Sequence, residues 1–399
     1  MNINVKEGPG PKYLVLVCEG LTDDPIDELG DRTPLEVART PHLDALAARG
    51  VTGAALFVPR SGTPVSADVA CFSILGFDPR EYYTGLAPLE ALAIGVPQSE
   101  RDVAFRCDLV TALDDTLVDT SASRISHKES HLLITELNEK LSGPTVKFHA
   151  GKDHKNILIV SDPALADALD DLECEPPSRL VGQKCSKHLP KGRGAKLLLD
   201  LMEKARPILE HHEINRVRID LGENPANLIW PWGQGKPPKL PAFKDRYGMG
   251  GAVFSTAELA RGLGKAVGLA AVDGIERALG EHDFVFAYVE FDEEIYRTSS
   301  LKSKLKLIED FDTSVAGAAA RSLEEHRDLR IAITTDTVWS VRKHARQRGA
   351  VPVLLVGRGI EGRPGNLFSE RAAAQSKIVF EEGFKLMDCL LKEGSGPFA

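Results

Sequence analysis

YLVLVCEG, residues 13–20, is a run of six apolar residues followed directly by an acid. A continuous apolar run of this length is the pattern of a strand buried on both faces of a parallel sheet. The pattern returns at 51–58, DFVFAYV (283–289), RIAIT (330–334) and VPVLLV (351–356). Helix patterns lie between these runs. PHLDALAAR (41–49) carries Pro in its first turn and Gly50 just past its end, and 301–325 reads as one long helix. Strands alternating with helices predict an α/β domain with helices on both faces of its sheet.

In such sheets ligands bind beyond the carboxyl ends of the strands. That rule selects Glu19, the acids between Glu290 and Glu293, and Asp336, each directly after a buried run. One acid after a strand is often only a helix cap. Three, on three different strands, point to a shared site.

Residues 100–224 read differently. Two β-like runs, 103–111 and 156–160, are interleaved with helices at 130–141 and 196–211 and with polar Pro/Gly-containing stretches. The expected organisation is one domain from 1–99 and 225–399, with 100–224 inserted into it. PWGQG (231–235) suits a turn at the junction. Lys302, Lys304 and Lys306 alternate with apolar residues and are expected on a solvated helix face.

The 399 residues carry a formal net charge of −9, which argues against a nucleic-acid partner, since neutralising phosphates requires a cationic excess. No apolar run approaches the ~20 residues that span a bilayer, so no membrane partner is expected. The six cysteines form no CxxC pair and read as buried free thiols of a reducing compartment, and the N-terminus does not read as a signal peptide. A cytoplasmic location is expected.

TPVSADVACFSILGFDP (63–79) has the layout of a turn that holds a reactive phosphoryl group: a polar entry, Asp68, then an apolar helix. Together with RTPLEVARTPHLDALAARG (32–50), SADVACFSILGFDPREYYTGLAPLEALAIG (66–95), VAFRCDLVT (103–111), the stretch 224–255 and LKLIEDFD (305–312), it resembles the archaeal-type cofactor-independent phosphoglycerate mutases of the alkaline-phosphatase superfamily. The resemblance runs over nearly the whole chain. It implies an alkaline-phosphatase-like α/β core with a mixed, mostly parallel sheet and a smaller inserted α/β lid domain. It also implies the family reaction: 3-phosphoglycerate becomes 2-phosphoglycerate through a phosphoserine, with two divalent cations, usually manganese. Metals lower the pKa of a serine, imidazole and carboxylates hold them, and Arg or Lys clamps grip the anionic substrate.

Carried over position by position, the resemblance places the family's serine at Ala67, with Asp68 beside it and Cys71 where an asparagine helps hold the phosphoryl group. Metal-ligand positions fall on Glu19 and Glu293, and histidine positions on Arg297 and Thr337. Asp336 is retained, and His344 is assigned to the last histidine. A substrate arginine is Leu86 and a histidine is Arg124. Arg106 and Asp119 remain, and Lys155 stands for one of the lid cations. Arg297 is expected to pair with Glu19, Glu293 or Asp336 and to repel a pair of dications, so no metal cofactor is expected. One weak cation on Glu19, Asp336 and His344 is the residual metal reading. Ser66 is rotated ~100° from the serine position and is a poor substitute, and Cys71 reads as an inert buried thiol.

Three functions follow from this reading. The favoured one is a member that has lost mutase activity and acts as a non-catalytic binding or regulatory protein for a small phosphate or carboxylate. The others are an active mutase, or a different phosphoryl-transfer or acid–base enzyme built on Glu19, Glu293, Asp336 and Arg297.

Overall fold

A computed structural model describes residues 10–290, 300–363 and 365–392. The chain divides into two compact units, Met1–Tyr83 with Leu240–Ala399, and Thr84–Lys239. In chain order the strands begin with Lys12–Cys18 (β1), Gly50–Ala55 (β2), Val103–Leu113 (β3), Thr116–Asp119 (β4), Val146–His149 (β5), Lys155–Val160 (β6) and Leu228–Gly235 (β7). They continue with Gly251–Ser255 (β8), Ala270–Ala271 (β9), Phe284–Val289 (β10), Leu329–Thr334 (β11), Val338–Ser340 (β12), Ala345–Gln347 (β13), Val351–Gly357 (β14) and Val379–Phe380 (β15).

In the first unit eight strands form one sheet in the order β15-β2-β14-β11-β1-β10-β8-β9. The opening apolar run is its centre. β1 is buried at every residue and pairs in parallel with both β10 and β11. Only β14 runs against its two neighbours, which makes the sheet mixed and mostly parallel. Because Val17 stands opposite both Tyr288 and Thr334, the ends of β1, β10 and β11 lie side by side, and the acids that follow them share one edge.

The long helix read at 301–325 is Leu301–Phe311, a π-helical turn at Asp312–Ala316, and Gly317–Glu325. The irregularity has a clear use. The buried Asp312 carboxylate accepts from the backbone N–H of His42 (3.2 Å) and Leu43 (2.7 Å), capping the helix Pro41–Ala48 from outside.

Lys304 corrects the expected solvated lysine face. Two residues along an α-helix is ~200° of rotation, so Lys302 and Lys306 are exposed while Lys304 between them is fully buried. Its Nζ donates to Asp23 Oδ2 (2.8 Å) and to the carbonyls of Thr22 (2.8 Å) and Trp339 (2.7 Å).

The second unit is an antiparallel sheet in which β3 pairs with β4, β6 and β7, and β6 with β5. The helices His127–Leu141 and Ala195–His211 bury Leu133, Leu137, Leu198 and Leu209 against it. It is larger at both ends than the 100–224 insertion read from sequence. The helix Ala87–Ala93 packs against β3, and β7 is a strand of its sheet. PWGQG is therefore strand and not a junction turn. Its Gly235 is required because a Cβ there would stand 1.9 Å from the Thr84 carbonyl oxygen.

All six cysteines are free, five of them buried. Among the described residues no helix is long and apolar enough to cross a membrane.

Candidate functional site

The strand-end rule brings Glu19 and Asp336 together. Asp336 is 1 % exposed and Glu19 4 %. Two buried carboxylates side by side repel unless a cation joins them, and the cation is Arg346. Its Nη1 donates to Asp336 Oδ2 (2.7 Å) and to Thr337 Oγ1 (2.8 Å), and its Nη2 to Glu19 Oε1. Tyr288, from the end of β10, donates its hydroxyl to the same Asp336 oxygen (3.3 Å), and the Thr337 N–H holds Asp336 Oδ1 (2.7 Å).

Arg346 belongs to the two-stranded hairpin of β12 and β13. That hairpin is clipped to the loop after β1. Asp24 Oδ2 accepts from Ser340 Oγ (3.1 Å), Lys343 Nζ (3.1 Å) and Gln347 Nε2 (2.8 Å), and Asp23 accepts from the Val341 N–H. The guanidinium is thus held from both strands of the hairpin.

His344 is corrected by this arrangement. It sits at the exposed hairpin turn with φ of 51°, while Arg346, two residues on, reaches the carboxylates. The pairing expected of Arg297 is made, among the described residues, by Arg346. Glu293 and Arg297 themselves lie outside the described residues.

Ala67 opens the helix Ala67–Ile74, every residue of which is buried. Ser66, the residue before it, is in the extended region and makes no capping bond with its side chain. Cys71 is one helical turn after Ala67 and so lies on the same face. Burial, and then the charges of Asp336, Asp68 and Glu19, push the Cys71 thiol well above its usual range. Burial, and then the charges of Glu19 and Asp336, raise Cys18 and Tyr288 as well. Asp68 accepts from the Tyr83 hydroxyl (2.7 Å), whose own pKa is raised by burial and by that carboxylate. These directions describe buried surroundings, lined by acids, that disfavour thiolates.

The expected substrate residues lie in the second unit. Arg106 is buried, its Nη1 on Glu90 Oε1 (3.0 Å), its Nε on Asp108 Oδ1 (2.8 Å), and its guanidinium 5.1 Å from the Trp232 ring centroid. Its charge is committed to two carboxylates. Asp119 is an organiser of its own loop. It accepts from Ser121 N–H (2.8 Å), Ser121 Oγ (3.0 Å), Ser123 N–H (2.8 Å) and Asn224 Nδ2 (3.0 Å). Ala122, Ser123 and Arg124, directly after Ser121, are all left-handed, with φ of 47°, 52° and 58°. That conformation costs about 1–2 kcal/mol per non-glycine residue, so the Asp119 hydrogen bonds hold a strained turn that presents Arg124 to solvent. His127 Nδ1 bonds the Gly151 carbonyl (3.0 Å), joining the loop of Arg124 to the loop that leads into Lys155.

The family model for 2,3-bisphosphoglycerate-independent phosphoglycerate mutase matches residues 47–215. The mutase of Methanothrix thermoacetophila is 36% identical over 398 residues, covering 95% of this chain and 99% of that one. The chain belongs to this mutase family. The mutase of Methanosarcina mazei is 38% identical over 356 residues, 84% of this chain and 88% of its own. Among solved structures, a Pyrococcus horikoshii protein is similar with a TM-score of 0.75 at 25% identity, covering 97% of this chain and 99% of its own. The cofactor-independent phosphoglycerate mutase of Thermoplasma acidophilum is similar with a TM-score of 0.59 at 27% identity, covering 96% and 99%. The fold is accordingly the α/β, alkaline-phosphatase-like one.

Membership in a mutase family implies divalent cations, and the residues present can be tested for them. Metal sites of this kind use carboxylate and imidazole donors. Here both described carboxylates are joined to a permanent cation, and Thr337 stands where an imidazole is implied. A dication ~4 Å from that guanidinium would be repelled by about 8 kcal/mol at an effective dielectric near 20. Among the described residues no group of three or more His, Cys, Asp or Glu side chains converges to hold a metal. The described donor set does not fit a pair of divalent cations.

Proposed function

We propose that this mutase-family chain no longer transfers phosphoryl groups and works by binding a small anion. The observation that carries the reading is Ala67, a buried methyl group at the position the resemblance assigns to the family's serine. A phosphoenzyme mechanism needs an activated nucleophile. Neighbouring Ser66 stands one residue before the helix in extended conformation, and the Cys71 thiol is buried and raised in pKa.

Arg124 and Lys155 support the binding half of the reading. Arg106 does not, because Glu90 and Asp108 give its surroundings a net negative charge. In this reading the cations that meet a phosphate or carboxylate are Arg124, on its loop, and Lys155, at the start of β6. A localisation in the cytoplasm is part of the same reading.

Whole-length identity to mutases favours a second reading, an active phosphoglycerate mutase. An assay of purified full-length protein with 3-phosphoglycerate and excess manganese separates the two. The expected result is no turnover above background, and a rise in melting temperature with 3-phosphoglycerate that Arg124→Ala/Lys155→Ala removes. Turnover that chelation abolishes and manganese restores would overturn the proposal.

A further inference from the structure

We infer that the Arg346 guanidinium is a built-in substitute for a divalent cation, and that removing it opens a latent metal site at the ends of β1 and β11. This goes beyond the proposed function, which rests on the missing nucleophile at Ala67.

The geometry is that of a cation held by ligands. Three oxygens, from Glu19, Asp336 and Thr337, converge on one guanidinium. The Asp336 side chain is wholly buried and that of Glu19 is 6 % exposed, while Arg346 retains 18 %. An arginine cannot shed its proton in a protein, so it neutralises the pair at any working pH. Its planar fork also matches two carboxylates better than an ammonium group would.

The hairpin keeps this cation in place. The Asp24 carboxylate grips Ser340, in β12, and Gln347, the residue directly after Arg346. Less side-chain freedom is then lost in forming the bridge, as for any pre-organised ligand. A soluble cation can leave, whereas this one is attached to the chain.

Without the guanidinium, the same oxygens are hard donors of the kind that manganese and magnesium accept. Arg346→Ala leaves two carboxylates and a hydroxyl. Arg346→His adds an imidazole to them and makes a four-donor set. Arg346→Lys keeps a positive charge and serves as the conservative control.

The test uses full-length protein, stripped with chelator and titrated with manganese. Bound metal is read by electron paramagnetic resonance and stability by thermal unfolding. The wild type and Arg346→Lys are expected to bind no manganese at this site and to melt at the same temperature with chelator or metal. Arg346→His is expected to bind one manganese at least tenfold more tightly than the wild type, and Glu19→Gln/Arg346→His to lose that gain. Arg346→Ala is expected to melt lower and to recover with manganese. If it fails to fold, the histidine and lysine variants still decide the matter. Manganese bound stoichiometrically by the wild type, or no gain in affinity in Arg346→His, would overturn the inference. Wild-type binding without mutase turnover would sink it while leaving the proposed function standing.

Discussion

Each unit of the molecule sets an arginine between two buried carboxylates, and the two bridges are made in different ways. Arg106 draws on its own sheet: Asp108 is two residues along β3, on the same face, and Trp232 is its register partner on β7. Arg346 reaches from a short hairpin to acids at the ends of two other strands. The first bridge ties a sheet to the helix Ala87–Ala93 that packs on it and braces both. The second lies at the strand ends, where an α/β sheet binds its ligand. One chemistry therefore serves as core in one unit and as occupant of ligand ground in the other.

The comparison is sharpest when each arginine is removed. Arg106→Met should be the more damaging change, costing about 3–5 kcal/mol, because Glu90 and Asp108 are left buried without their cation. Arg346→Met should cost less, about 1–3 kcal/mol, since its own side chain is twice as exposed and gives up less packing. Urea unfolding of both variants, each compared with wild type, checks the order. If Arg346→Met proves the costlier of the two, the contrast between core and ligand ground is lost.

The same contrast explains what could be read in advance. Buried apolar runs marked β1, β2, β10, β11 and β14, five of the eight strands in the first unit's large sheet, and the parallel pairing of β1 with β11 carried Glu19 and Asp336 to one edge. Within β3, period-two alternation relates Arg106 to Asp108. Arg346 was not legible. Its partners are 10 and 327 residues away, and the stretch SVRKHARQRG (340–349) looks like any solvated cationic loop. A resemblance-based assignment settled on His344 because it matched a residue type, whereas the hairpin register decides which side chain reaches the acids. Lys304 was misread for a simpler reason, the use of a strand period on a helix. The PWGQG stretch was misread because glycine in a strand can mark close backbone approach as well as a turn.

A third carboxylate separates structural strain from ligand chemistry, with the smallest effect. Burial alone would raise the pKa of Asp119, but hydrogen bonds from Ser121 N–H, Asn224, Ser123 N–H and Ser121 Oγ reverse this, and the result lies below the ordinary 3.8. The sign follows from linkage. A carboxylate with a depressed folded pKa stabilises the fold above its unfolded pKa, and that contribution disappears as the pH falls through the folded one. Wild-type protein should therefore lose stability below about pH 4 more steeply than Asp119→Asn, whose amide does not titrate. Because Asp119 is half-buried, the difference in slope should be modest, and parallel acid limbs would mean that these hydrogen bonds do not set the stability of the left-handed turn. If the slopes differ, the charge on Asp119 is needed to hold Ala122, Ser123 and Arg124 in that turn. Acid should then release Arg124, and any anion that depends on it, before the first unit unfolds.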